Sequence, residues 1–405
     1  MNYETIITPM SSYHKKNCCT QLCNVARKLL KLQESGYNTT GCDALSYCFC
    51  NFTGKLKTWK AHNEQIKIII ELRNSIECNS IQIASCSIDG IIKIWDITTG
   101  ECKRIFKHYN SINSIIELRY KPENGNTQIA SCDRNGTAKI WDIKTGKCKM
   151  SFYHSSSINS IIELKDNSKE NAQIITCSRD KTVKIWDITT GECKMTLTHK
   201  DSVNSILELR DKTKNGRVQI ASCSDDKTVK IWVIKSGKCK RVLKHDYMVY
   251  FIIELRDRSK NGNTQIASCD CNGTVKIWDI KTGKCETTFN LYIAMSHIIK
   301  IKFSETKNGQ LVICGAYKTI KILYFKTGKC KIEFNHNNYA FNAIELKNGE
   351  HVASCSNDGT VKIWDITTGK CEMTFKHYRL LVDIIEVKDG HLLSCDCSGM
   401  INMLS

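Results

Sequence analysis

The chain has 405 residues, 41% apolar and 25% charged, with a formal charge of +18 and 24 cysteines. That length is more than one ordinary hydrophobic core fills, so the chain either holds several domains or is built by repetition. No stretch approaches the run of about 20 apolar residues that a membrane span requires, and MNYETIITPM lacks the basic and apolar regions of a secretory leader. The expectation is a soluble protein of the cytoplasm, with the nucleus as the alternative.

Residues 1–53 carry one amphipathic helical pattern, at 22–32 ahead of Gly36. Cys18, Cys19, Cys23, Cys42, Cys48 and Cys50 crowd this segment, but they form no CxxC pair and a zinc site is disfavoured. The rest reads as all β, by repetition. SIDGIIKIWDITTGECKR from Ser87 returns as SRDKTVKIWDITTGECKM from Ser178, SDDKTVKIWVIKSGKCKR from Ser224 and SNDGTVKIWDITTGKCEM from Ser356. Trp95, Trp141, Trp186, Trp232 and Trp278 are spaced by 46, 45, 46 and 46 residues, and Trp364 follows 86 later, which leaves room for one degraded copy. Within the third copy the β-branched runs place strands at 157–164, 173–177, 182–186 and 192–197.

Each copy opens on a histidine: His62, His108, His154, His199, His245, His336 and His377, with the degraded copy starting near Leu291. That gives eight units. The last unit stops after its third strand, at 400–404, while TGKLKTWKAH at 53–62 is an unmatched fourth strand, so the two ends can complete one unit. Residues 45–49 also resemble a third strand, which keeps a different closure, or seven units, as the alternative.

Regular copies hold His, Ser or Thr, Asp and Trp at constant offsets: His62, Ser85, Asp89, Trp95; His154, Thr176, Asp180, Trp186; His199, Ser222, Asp226, Trp232; His336, Ser354, Asp358, Trp364. An indole N–H only donates, a hydroxyl does both, a neutral imidazole does one of each and a carboxylate accepts, so the four can form one satisfied chain. A catalytic triad would not be needed in every copy. Asn135 and Asn272 replace the Asp in copies two and five, which predicts loss of that charge; Ile313, Tyr317 and Leu323 break copy six, and Ser398 and Leu404 break copy eight. Those last two units are expected to rest more on packing.

Fifteen cysteines fall at two repeat positions, Cys86, Cys132, Cys177, Cys223, Cys269, Cys314, Cys355 and Cys395, and Cys102, Cys148, Cys193, Cys239, Cys285, Cys330 and Cys371. Both sets read as small buried hydrophobes in a reducing compartment. Lys93, Lys139, Lys184, Lys230, Lys276, Lys321 and Lys362 spread the positive charge around the repeat, as Glu71, Glu117, Glu163, Glu208, Glu254, Glu345 and Glu386 spread the negative. These are expected to be solvated or mutually paired, which disfavours a nucleic-acid patch.

The segment SCSxDGTVKIWDITTGKC, with its histidine-opened period, resembles the WD-repeat β-propeller family over residues 54–405. The resemblance implies four-stranded blades arranged radially, a ring closed by pairing of N- and C-terminal strands, and a structural role for the four-residue sets. It also implies that partners dock on the face bearing the loop before the first strand and the loop between the second and third. There, copies two to four carry Ser111 and Asn113, Ser157 and Asn159, Ser202 and Asn204, whereas the later copies carry Met248 and Tyr250, Tyr339 and Phe341, Leu380 and Val382. With Ile88 these form a candidate apolar partner site. Arg134 and Arg179, in the same loop of copies two and three, are candidates for an acidic or phosphorylated peptide.

The function expected is a non-enzymatic scaffold or adaptor for protein partners, a monomeric propeller complexed with other proteins, with no cofactor and no metal. Two alternatives stand beside it. Some relatives are substrate receptors of ubiquitin ligases, although 1–53 is short for a complete F-box; and the basic charge would suit RNA or an anionic surface.

Overall fold

Runs of five to eight β-branched and aromatic residues, broken by Asp-Gly or Thr-Gly turns, fold locally as strands. The computed structural model describes residues 56–404 apart from 74–79, 124, 166–171, 211–217, 257–263, 292–294, 302–309, 316–317, 325–326 and 328. The zinc and helix readings, and the competing strand at 45–49, lie outside these. Among the described residues there are eight separate four-stranded antiparallel sheets, not seven. In the third, the strands are Ile158–Glu163, Gln173–Ser178, Thr182–Asp187 and Cys193–Thr198, here called a to d. The expected strands match these within a residue or two.

Strands a of successive blades touch one another, the described residues of strands b are almost all buried and strands d are largely exposed, so each blade runs from an inner a to an outer d. The apolar core lies between blades. One cluster joins Ala138, Ile140 and Phe152 of blade two to Ile158, Ile174 and Trp186 of blade three. Blade eight takes its first three strands from Leu381–Glu386, Leu392–Asp396 and Met400–Leu404 and its fourth from Leu56–Lys60, paired Leu56 to Leu404 and Lys60 to Met400.

The repeated charges also make specific contacts within and between blades. Glu117 of blade two accepts the backbone N–H of Arg73 of blade one at 2.7 Å, and the same link recurs from Glu163 to Arg119, Glu208 to Lys165, Glu254 to Arg210 and Glu386 to Lys347. Glu71 of blade one accepts from Lys388 of blade eight at 3.0 Å. Each carboxylate thus replaces the missing partner at the end of a neighbour's strand a. The lysines lie over the tryptophan rings of their own blades at 5.2–5.9 Å, and Lys93 donates to the carbonyl of Ala61 at 2.7 Å. Where Leu323 replaces the indole, Lys321 pairs with Glu333 instead, at 3.3 Å.

The cysteines divide in two. Cys86 and its described counterparts on strand b are buried, and burial pushes the Cys86 thiol up to about 12. The second set corrects the expectation of burial: Cys102, Cys148, Cys193, Cys239, Cys330 and Cys371 are exposed, because they open the outermost strand.

Turn chemistry shows in two departures. Asp96, Asp142, Asp187 and Asp365 accept backbone N–H groups of the turn after strand c; in blade four Val233 takes that place, and the turn there is a single 3-10 turn, Ile234–Ser236, without a side-chain cap. The turn after strand b needs a positive φ, met by Gly90, Gly136, Gly273, Gly359 and Gly399 but by Lys181 (φ 72°) and Lys227 (φ 68°) in blades three and four. Space is short there, since a Cβ on Gly136 would meet the carbonyl oxygen of His154 at 2.6 Å. A left-handed non-glycine residue costs about 1–2 kcal/mol, offset in part by the greater unfolded-state entropy of glycine. Lys181→Gly with Lys227→Gly is therefore expected to raise stability by about 1 kcal/mol, read as a higher urea midpoint; an unchanged or lower midpoint would show that these turns are relaxed.

Candidate functional site

The four-residue sets come together as the residue types dictate. In blade three Trp186 Nε1–H donates to Thr176 Oγ1 at 2.8 Å, the hydroxyl lies 2.7 Å from His154 Nε2, and His154 Nδ1 lies 2.7 Å from Asp180 Oδ2. Because the ionised carboxylate can only accept, the proton of the neutral imidazole lies on Nδ1, and Nε2 accepts the hydrogen of the hydroxyl, which itself accepts from the indole. Blades four and seven repeat this with His199 and Asp226 at 2.8 Å and His336 and Asp358 at 3.1 Å. In blade one His62 meets Ser85 at 2.8 Å and Trp95 meets Ser85 at 2.9 Å, but Asp89 stands 3.6 Å from Nδ1, too far for a hydrogen bond.

Copies two and five correct the reading that their charge is lost. Asp133 and Asp270, two residues ahead of Asn135 and Asn272, bond His108 Nδ1 at 3.0 Å and His245 Nδ1 at 3.1 Å. The turn folds back, so a carboxylate at either position reaches the imidazole. In blade eight Leu404 fills the indole's place, and the His377 imidazole and the Ser394 hydroxyl are not joined by the hydrogen bond that the other blades show. Leu404 there is buried in the apolar cluster of Leu346, Ile363 and Ile384. In blade six Leu323 is buried against Val275 and Ile277 of blade five. Burial lowers the pKa of His154, His199, His336 and His377, keeping them neutral.

This relay is not arranged for chemistry on a substrate. Thr176, Ser85, Ser222 and Ser354 are fully buried, and each hydroxyl is already committed on both sides. A groove of about 240 Å³ between blades two and three, lined by Tyr120, Pro122, Met150 and Ile188, is touched by none of these sets.

The expected partner face is built by a repeated backbone bond. The first residue after strand b donates its N–H to the carbonyl of the residue before strand a: Ile88 to Gln65, Arg134 to Ser111, Arg179 to Ser157, Cys271 to Met248, Asn357 to Tyr339 and Cys397 to Leu380, all at 2.8–3.0 Å. Two loops of each blade therefore share one face, with their side chains at fixed positions. On it Ile88, Met248, Tyr250, Tyr339 and Leu380 are 36–48% exposed, and Arg134 and Arg179 are exposed. Burial raises the pKa of Tyr250, and Asp225 nearby adds to this.

Phe341 and Val382 part company with that group. Each is the extra residue of a bulge on strand a and is half-buried, Phe341 against the cluster of Leu381 and Ile384, Val382 against that of Ile66 and Ile69. The sequence reading also missed Tyr378, fully exposed, Tyr109, 92% exposed, and Tyr247. Tyr109 and Tyr378 directly follow the relay histidine, where other copies hold Asn63, Ser155, Lys200 and Asn337; that break in the repeat was visible in the sequence.

Comparison with known proteins follows from this geometry. The model of the nucleolar protein 10-like N-terminal domain, a β-propeller, matches residues 61–213, and that of the WD domain, G-beta repeat, matches 237–279 and 328–365. No curated protein matches the chain. Among solved structures, the computationally designed Ika8 protein superposes with a TM-score of 0.68 at 24% identity, over 86% of this chain and 98% of that one, a likeness of fold alone.

Proposed function

Since the chain belongs to the WD-repeat β-propeller family, whose domains generally mediate protein–protein interaction, we propose that it is a non-enzymatic scaffold. Its apolar face on blades five, seven, eight and one receives a protein partner. One observation carries this reading: Tyr339 and Leu380 are exposed where blades two to four present Ser111, Ser157 and Ser202, and Ile88 is exposed where those blades present Arg134, Arg179 and Asp225. Exposed aromatic and aliphatic side chains held by rigid backbone lose little entropy on binding and are favoured as energetic anchors.

The test is purification of the tagged full chain with its bound proteins. Tyr339→Ala with Leu380→Ala should reduce recovery of the natural chain's partners at least tenfold at an unchanged melting temperature. The control pair, Ile105→Ala with Val242→Ala, removes equally exposed apolar groups from outer strands and should reduce nothing. Partners kept by the first pair, or lost equally by the control, would end the proposal.

The RNA reading loses weight because the repeated lysines are engaged with indoles and backbone carbonyls of their own rim. The ubiquitin-ligase reading rests on residues 1–53, outside the described residues. For location, the likeness of 61–213 to a domain of nucleolar proteins favours the nucleus over the cytoplasm.

A further inference from the structure

Around the inner strands the chemistry of this face changes from one side to the other. Lys67 of blade one, half-buried, donates to Asn113 Oδ1 of blade two at 2.7 Å. Asn113 donates in turn to the carbonyl of Ile158 at 2.8 Å and to the Ser157 hydroxyl at 3.1 Å, both at the start of strand a in blade three. That chain of bonds fixes one ammonium across three consecutive blades. Arg134 and Arg179 leave the same mouth in blades two and three, where their backbone N–H groups donate at 2.9 Å to the carbonyls of Ser111 and Ser157.

Among the described residues no carboxylate lies within ion-pair distance of any of the three cations. Burial lowers the pKa of Lys67, and the positive charges of Arg134 and Arg179 lower it further. The Ser111 hydroxyl, in a residue only 6% exposed, has no hydrogen-bond partner among the described residues. Asp225, the nearest acid in the ring of equivalent positions, is held by Asn204 at 2.7 Å. Lys67 is half-buried and the two arginines are exposed, and the like charges of the three repel one another, which a compact anion relieves.

We propose that Lys67, Arg134 and Arg179 form a binding site for a phosphoryl group on the inner mouth of blades one to three. A dianion suits the site better than a single carboxylate: two guanidinium forks and an ammonium supply more donors and charge than one carboxylate uses. The proposal rests on the reading of this face as the working face, but not on the apolar anchors. The phosphoryl group belongs either to a phosphorylated side chain of a partner or to a free phosphate compound, and the probes separate these.

The experiment titrates the full chain at low salt with inorganic pyrophosphate and with a short peptide carrying phosphoserine, beside the same peptide unphosphorylated. Both phosphate probes should bind, the plain peptide should not, and binding should weaken as salt rises. Arg134→Gln with Arg179→Gln should weaken it at least tenfold, and Lys67→Met should weaken it too. Lys235→Gln with Lys238→Gln, an equal loss of charge at the exposed turn after strand c of blade four, should leave it unchanged. Tighter binding of the peptide assigns the site to a protein partner, tighter binding of pyrophosphate to a free compound. Tyr339→Ala with Leu380→Ala should leave pyrophosphate binding intact, so failure of the partner surface and failure of this site are distinguishable. Equal weakening by the lysine pair, or no weakening by the arginine pair, would overturn the proposal.

Discussion

Trp186→Ala is expected to destabilise the protein by about 3 kcal/mol or more, whereas Trp186→Phe costs about 1 kcal/mol. The difference follows from what the indole touches. Its ring is 93% buried between blades two and three, 5.1 Å from Phe152 and packed with Ala138, Ile158 and Ile174. Alanine removes those contacts, leaves a cavity the two sheets cannot collapse to fill, and strips Thr176 of its donor. Phenylalanine keeps most of the packing and loses only the N–H. Urea unfolding of the three proteins at pH 7 checks this. If both variants fell by the same amount, the hydrogen bond would stabilise the blade more than the packing does.

How legible this was depends on how far apart the interacting residues lie. The strands of blade three were readable because their alternation is local, and the relay of His154, Thr176, Asp180 and Trp186 because its four residue types admit one pattern of donors. The carboxylates of Asp133 and Asp270 were in plain view, yet a fixed offset from the histidine hid them, since only the folded turn shows that two positions reach the same nitrogen. The links from Glu117 to Arg73 and from Glu71 to Lys388 cross between blades, at separations of 44 and 317 residues; the glutamates recur visibly with the repeat, but that recurrence does not tell which backbone N–H each accepts. Cys193 and Cys177 share a residue type and a regular spacing. Which of them faces water depends on which strand is outermost, and that is a property of the assembled blade. Of the candidate surface, Tyr339 and Leu380 stand as read, but the bulge that turns Phe341 and Val382 against the neighbouring blades has no local sequence mark.

Asp383 joins blade eight to blades seven and one, and it is expected to make stability depend on pH in a way that Asp383→Asn abolishes. Its Oδ2 accepts the N–H of Ile69 in blade one at 3.0 Å, and its Oδ1 accepts from Asn342 of blade seven at 2.7 Å and from the N–H of Ile384 at 2.9 Å. These three donors favour the ionised form, but burial outweighs them and raises the pKa to about 6. In the unfolded chain the group titrates at its ordinary value near 3.8. Between those values the folded protein holds a proton that the unfolded chain has released, so this carboxyl's contribution to stability is fully present below 3.8 and is lost as pH rises through 6. The full difference is about 3 kcal/mol, of which roughly 2 falls between pH 4 and 7. The buried histidines act in the opposite sense, since His154, His199 and His336 stay neutral when folded and take up protons only on unfolding as pH falls below 6.5. They act equally in both proteins, so the stability of Asp383→Asn minus that of the natural chain isolates the carboxyl. That difference should rise with pH by about 2 kcal/mol from pH 4 to 7. Parallel curves would mean that the three donors offset the burial completely and that Asp383 titrates alike in the folded and unfolded chain.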